Sequence, residues 1–189
     1  MGRLTELIEK STNELQTPEY LQLKPLFVRK NTENPGTMND TPNVRIIPPL
    51  VYLAGLVIGV APTIWFPTNV VPGPVAWIIG AILILCGAVL SASAIFNFKA
   101  VGTTVRPDRA ATTLVTVGPY KLTRNPMYLA LALIYLGISI AAQSLWALLL
   151  LPVVLTIIVN RAIKPEEAFL ERRFGTDYLR YKANVRRWL

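Results

Sequence analysis

Two long stretches of this chain carry no formal charge. No Asp, Glu, Lys or Arg occurs from Ile46 to Phe98 or from Asn125 to Asn160. A water-soluble fold of 189 residues must expose much of its surface, and charge-free blocks of this length cannot supply it. Only 16% of the residues are charged, against about a quarter in an ordinary soluble domain. The mean hydropathy is +0.43. The pattern predicts an all-α integral membrane protein.

The hydrocarbon core of a bilayer, about 30 Å thick, takes roughly 20 helical residues at 1.5 Å each. The first block therefore divides into two spans, 46–66 and 74–98, around a Pro/Gly turn from Pro67 to Gly73. The second, as one helix, would reach roughly 54 Å, which is too long for the bilayer. It divides into a hairpin of 127–142 and 145–160, turning near Gln143-Ser144. With four spans every Lys and Arg falls on the side that holds both termini, and the two opposite turns have none. By the positive-inside rule that side is cytoplasmic. The expected protein is multi-pass, with both termini cytoplasmic, in a bacterial inner membrane rather than the endoplasmic reticulum.

The length fits one membrane domain, 44–189, behind a polar segment, 1–43. In that segment Leu4, Leu7, Ile8 and Leu15 suggest a helical face, and a Pro35-Gly36 break precedes Met38. The segment reads equally as a leader ending before Met38 or as a cytoplasmic tail. The chain has no histidine and one cysteine, Cys86, which excludes internal disulfides, Cys/His zinc sites and His-based acid–base catalysis. A net charge of +8 reads as basic membrane flanks and not as nucleic-acid binding. Gly55 and Gly59 form a GxxxG pair suited to packing within the chain, and Pro152 is of a kind that membrane helices tolerate.

Beyond the last span, Phe169, Phe174, Tyr178, Tyr181, Val185 and Trp188 recur at near-helical spacing among charges of both signs. This predicts a C-terminal amphipathic helix over 165–187. It lies at the membrane interface, packs on the 99–124 loop, or does both. Polar chemistry gathers in two places, Thr112 to Tyr128 and Arg161 with Glu166-Glu167, each joined to one end of the same hairpin. Taken singly, the residues have plain structural readings. Asn125-Pro126 can start a helix, Tyr120 and Tyr128 can anchor at the interface, Arg161 can snorkel, and the two Glu can complement a helix N-terminus.

Taken together they form two ordered motifs. The stretch Thr113-Leu114-Val115-x-x-Gly118-x-Tyr120-x-x-x-Arg124-Asn125-Pro126-x-Tyr128 resembles the isoprenylcysteine carboxyl methyltransferase family, which looks related to phospholipid N-methyltransferases. So does Glu166-Glu167-x-x-Leu170-x-x-x-Phe174-Gly175-x-x-Tyr178-x-x-Tyr181 behind the hairpin. The resemblance covers roughly 104–189. It implies S-adenosylmethionine as methyl donor, with S-adenosylhomocysteine as product. The implied cofactor-binding positions are Thr112, Thr113, Leu114, Val115, Tyr120, Asn125, Pro126, Met127 and Tyr128, with an acidic contact at Glu166 or Glu167. It also implies a substrate-binding Arg at Arg161. Where the family has Arg-His-Pro, this chain has Arg124-Asn125-Pro126. An Asn amide can replace a ring N–H donor but not a base.

Methyl transfer from a sulfonium needs neither a metal nor histidine, because the electrophile is already activated. Alignment of donor and acceptor can contribute on the order of 7–11 kcal/mol at its upper limit. The expected partners are membrane lipids and a lipophilic acceptor entering from the bilayer. Arg161 favours a carboxylate acceptor of isoprenylcysteine type. The alternatives are a phospholipid or small-amine acceptor, or a non-catalytic membrane scaffold.

Overall fold

The computed structural model describes residues 28–30, 44, 46–100 and 113–189, with 28–30, 98–100 and 113 given by backbone alone. The expected N-terminal helical face, the Pro35-Gly36 break, Met38 and Thr112 lie outside the described residues.

The charge-free blocks fold as two helical hairpins. Helix α1, Pro48–Val60, opens on two prolines, which are tolerated where the first N–H groups have no helical partner in any case. A tighter 3-10 turn, Ala61–Ile64, extends it. Helix α2 is Gly73–Ala100 and α3 is Pro126–Ala141. Helix α4, Leu145–Ile158, starts at Ser144, whose hydroxyl accepts the Ala147 N–H; Pro152 lies inside α4 without ending it. A π-helical turn, Val159–Ile163, leads without a break into α5, Lys164–Phe174. Helix α6 is Thr176–Asn184.

Two of these helices, Gly73–Asn97 and Leu145–Phe174, are long and apolar enough to cross a membrane. The other two, Pro48–Ile64 and Pro126–Ala141, are apolar but shorter, so of the four expected spans two reach full length. Two further expectations are corrected. The fold is mostly helical but not purely so, because Val28–Lys30 (β1) pairs antiparallel with Thr113–Val115 (β2), placing Arg29 opposite Leu114. The C-terminal helix expected over 165–187 is broken at Gly175, whose φ of +52° is a conformation other residues adopt only with strain. Its first half continues α4, and its aromatic residues Phe169 and Tyr178 are buried in protein and not turned to lipid.

The two hairpin turns are clasped together. Gln143, at a φ of +54°, accepts from the Val70 and Val71 N–H groups at 2.8 and 3.3 Å and donates to the Val71 carbonyl at 2.6 Å. Trp146 donates to the Phe66 carbonyl at 3.2 Å. The turns therefore share one end of the bundle, and the charged segments share the other.

Small residues set how closely the helices approach. Gly55 and Gly59 of α1 face Val154 and Ala147 of α4, so the GxxxG pair packs inside the chain. A Cβ on Gly137 of α3 would lie 2.7 Å from the Gly80 carbonyl oxygen of α2, and one on Gly80 would lie 2.8 Å from that of Gly137. Tyr135, buried at the centre, lies 3.2 and 3.0 Å through its hydroxyl from the Gly55 and Ala147 carbonyls and ties α1, α3 and α4 together. Replacing Gly137 by Val should force α2 and α3 apart and destabilise the protein by about 1–3 kcal/mol, as overpacking does. Thermal melting in detergent would show this as a lowered Tm. Gly73→Ala, with no atom near the added methyl, should melt like the parent.

Candidate functional site

At the charged end, residues 113–125 fold back over the bundle. Strand β2 leads through Val117 into a 3-10 turn, Gly118–Lys121, then to Thr123 and the start of α3 at Pro126. Gly118 has a φ of +59° and lies against the side chain of Asn97, where a Cβ would come within 2.6 Å. The turn brings Tyr120 inward to pack with Ala94 and Val115, with Val117 and Met127 at its edge. Leu114, Asn125, Pro126 and Tyr128 are buried as well.

The first pair that matters is Tyr128 with Glu166. The Tyr128 hydroxyl donates to a Glu166 carboxylate oxygen at 2.8 Å, and the Tyr52 hydroxyl of α1 donates to the Tyr128 carbonyl at 3.1 Å. Counted from Leu145, Glu166 lies roughly 32 Å along this helix, about the thickness of a hydrocarbon core. Burial raises its carboxyl above the usual range; the Tyr128 hydrogen bond lowers it and the Glu167 charge raises it again. Tyr120 also senses Glu166, and burial together with that charge holds its hydroxyl protonated. Tyr128 thus holds this acid directly, and Tyr120 feels its charge.

Glu167, one residue on, is fully engaged elsewhere. Arg187 donates to both of its oxygens, at 3.0 and 2.6 Å, and Arg124 Nη2 lies 3.4 Å away. The carboxylate raises the Arg187 guanidinium further above its ordinary value. The backbone closes the same knot: Arg124 N–H donates to the Arg186 carbonyl, and the Thr123 hydroxyl and Asn125 amide both donate to that of Arg187. Trp188 packs against the core cluster beyond. The Tyr178 hydroxyl is pushed up to about 12 by burial first and by Glu167 next, with Arg124 opposing. Two nitrogens of the buried Arg124 side chain, Nε and Nη1, have no hydrogen-bond partner among the described residues.

The structure thus brings together Leu114, Val115, Tyr120, Asn125, Pro126, Met127 and Tyr128 with Glu166 and Glu167. Thr113 is in β2, known by its backbone only. Arg161 stands apart. It lies in the π-helical turn, is exposed, and makes no hydrogen bond or ion pair with any described residue. The two Glu do not complement a free helix N-terminus, since the helix runs on through them from α4. Asn125, at the position where the family has His, heads α3 but does not cap it; its amide holds the C-terminal tail.

Arg124, Arg187, Thr123 and Tyr52 complete the site and were not among the expected site residues. Arg124 was visible inside the Arg-Asn-Pro motif. Arg187 gave no signal beyond being one of several basic residues near the terminus.

A helical, membrane-type bundle with a buried tyrosine–acid cluster at its charged end defines the class. The family described as phospholipid methyltransferase matches residues 75–177, more than half of the 189. The chain belongs to the phospholipid methyltransferase family. The match runs from α2 into α6 and contains Tyr120, Arg124, Tyr128, Glu166 and Glu167, while Tyr52 and Arg187 lie outside it. An uncharacterized protein of Haemophilus influenzae is 41% identical over 63 residues, which are 33% of this chain and 100% of that protein. No solved structure matches the chain. Membership implies methyltransferase activity and fits a membrane protein.

Removing the Glu167 carboxylate should leave Arg124 buried without its counter-charge. Glu167→Ala is expected to lose about 3–5 kcal/mol, toward the lower figure because Arg187 is a third exposed. Arg187→Ala should cost less alone and add little in the Glu167→Ala background, since the two act through one contact. A double-mutant cycle on thermal or denaturant unfolding measures both effects.

Proposed function

We propose that the protein is an S-adenosylmethionine-dependent methyltransferase held in a membrane by four helical segments. In this reading the charged end and both termini face the cytoplasm, and the acceptor is a lipid that arrives from the bilayer. The observation that carries the reading is the Tyr128–Glu166 pair beside Tyr120, within the segment matched to the family. The two shorter helices complete the count if the bilayer thins locally to meet them, at a modest cost per ångström.

The donor presents an amino-acid zwitterion and a sulfonium, and the residues at the site fit both parts. Glu166 is an acid with Tyr128 on one oxygen, and it suits the ammonium. Arg124, with two buried nitrogens still unpartnered among the described residues, suits the carboxylate. The rings of Tyr120 and Tyr128 favour a sulfonium by cation–π attraction, worth roughly 0.5–2 kcal/mol. When bound, the group supplies an activated methyl. The chain's own work is to orient it and to exclude water, which the buried tyrosines and the clasped C-terminal tail favour.

Two observations bear on the acceptor. The family description names phospholipids, and Arg161, the guanidinium that would repel a cationic headgroup, stands apart from the Tyr128–Glu166 pair. They favour a phospholipid-type amine over the carboxylate acceptor expected from the sequence. Activity with an amine acceptor should rise with pH through the amine's titration range, whereas a carboxylate acceptor, ionised throughout that range, should give a flat profile.

Titration of the detergent-purified protein with S-adenosylhomocysteine, by calorimetry and thermal shift, tests the donor site. Saturable micromolar binding with a rise in Tm is expected. Glu166→Gln should weaken it by about tenfold, as loss of a charge-assisted contact does, while keeping the parent's Tm without ligand. Parental affinity in that variant would overturn the assignment, and no binding by a folded parent would favour the scaffold reading. The ammonium needs the ionised carboxylate. Because the carboxyl is raised, affinity should fall on acidification at a pH above the ordinary carboxylate range, and Glu166→Gln should abolish that dependence.

A further inference from the structure

Between α1 and α4 runs an open groove of about 600 Å³ whose walls include Ile47, Leu50, Ile58, Leu150, Val153 and Ile157. Every side chain lining it is aliphatic. From Ile47 to Ile58 the wall rises roughly 16 Å at 1.5 Å per residue, close to one leaflet of a hydrocarbon core about 30 Å thick. The groove begins at the charged end, where α1 starts and α4 finishes.

Four residues beyond Ile157, and so stacked above it on the same helix face, stands Arg161. It is exposed, and no described residue pairs with it. Lys164, a turn further on, is also exposed and donates to the Asn160 side chain at 2.7 Å. The nearest acids on this helix do not neutralise them: Glu166 is bonded to Tyr128 and Glu167 to Arg187. A leaflet-deep apolar groove thus ends under two cations with no acidic partner among the described residues.

We propose that this groove holds the acyl chain of an anionic phospholipid of the cytoplasmic leaflet, with Arg161 on its phosphate. A guanidinium presents paired donors that match phosphate oxygens, which suits it to this place better than a point charge. Lys164 adds long-range attraction. The site lies on the outer, lipid-facing side of the α1–α4 contact, away from the Tyr128–Glu166 pair. It rests on the membrane reading and stands whether or not the donor site is right.

The full chain in mild detergent, titrated with phosphatidylglycerol and with phosphatidylcholine of identical chains and read by native mass spectrometry, tests the proposal. Phosphatidylglycerol should bind roughly five- to tenfold tighter, the scale of one Arg acting on an anionic headgroup. Arg161→Gln should abolish that preference at an unchanged Tm, and Arg161→Lys should keep part of it. Val153→Trp, which fills the groove, should weaken both lipids, and Leu50→Trp serves the same purpose from the opposite wall. Equal binding of the two lipids by the parent, or an undiminished preference in Arg161→Gln, would reduce Arg161 to an ordinary snorkelling residue and overturn the site. Oleate competing as well as phosphatidylglycerol would assign the groove to a free fatty carboxylate and overturn the phospholipid as its occupant.

Discussion

One buried carboxylate holds the charged end of this molecule together. Glu167 receives Arg187 from the C-terminal tail and Arg124 from the segment before α3, so three stretches distant in sequence meet on one side chain. Such a buried pair adds little net stability over an apolar contact, but leaving one partner alone costs several kcal/mol, so the arrangement acts mainly as a register. The Arg124 N–H, the Thr123 hydroxyl and the Asn125 amide donate to the Arg186 and Arg187 carbonyls and fasten the same tail beside it. Once Glu167 is fixed, the helix turns Glu166 to a different side, where Tyr128 meets it.

Adjacent acids therefore divide two tasks that a sequence motif cannot separate. Glu167 is engaged in the fold, and Glu166 keeps a carboxylate bonded to Tyr128. The π-helical turn just before them sets this phase. The wider turn of Val159–Ile163 changes which residues point inward after α4 without interrupting the helix. Asn125 belongs to the same division of labour. Its amide holds the tail, which accounts for a side-chain donor at this position without giving it a role as a base.

Much of the architecture was legible because lipid and charge are blunt constraints. The charge-free blocks marked both hairpins, the turn at Gln143-Ser144 fell where bilayer thickness required one, and the Gly55–Gly59 pair packs within the chain. The Gly80–Gly137 contact was not legible, because its glycines lie on different helices and nothing local relates them. The break at Gly175 passed unnoticed inside an amphipathic pattern that continues across it with the same spacing. Of the site, the tyrosines and acids showed in the motifs. Arg187 did not, since a tertiary ion pair leaves no trace in spacing. Arg161 lies on the same continuous helix as Glu166, in the π-helical turn, and is exposed.

A structure determined with S-adenosylhomocysteine bound would report which acid receives the amino-acid end. The ammonium should lie within hydrogen-bond distance of Glu166, with Glu167 still held by Arg187. An ammonium bound to Glu167, with Arg187 displaced and the tail released, would contradict this assignment.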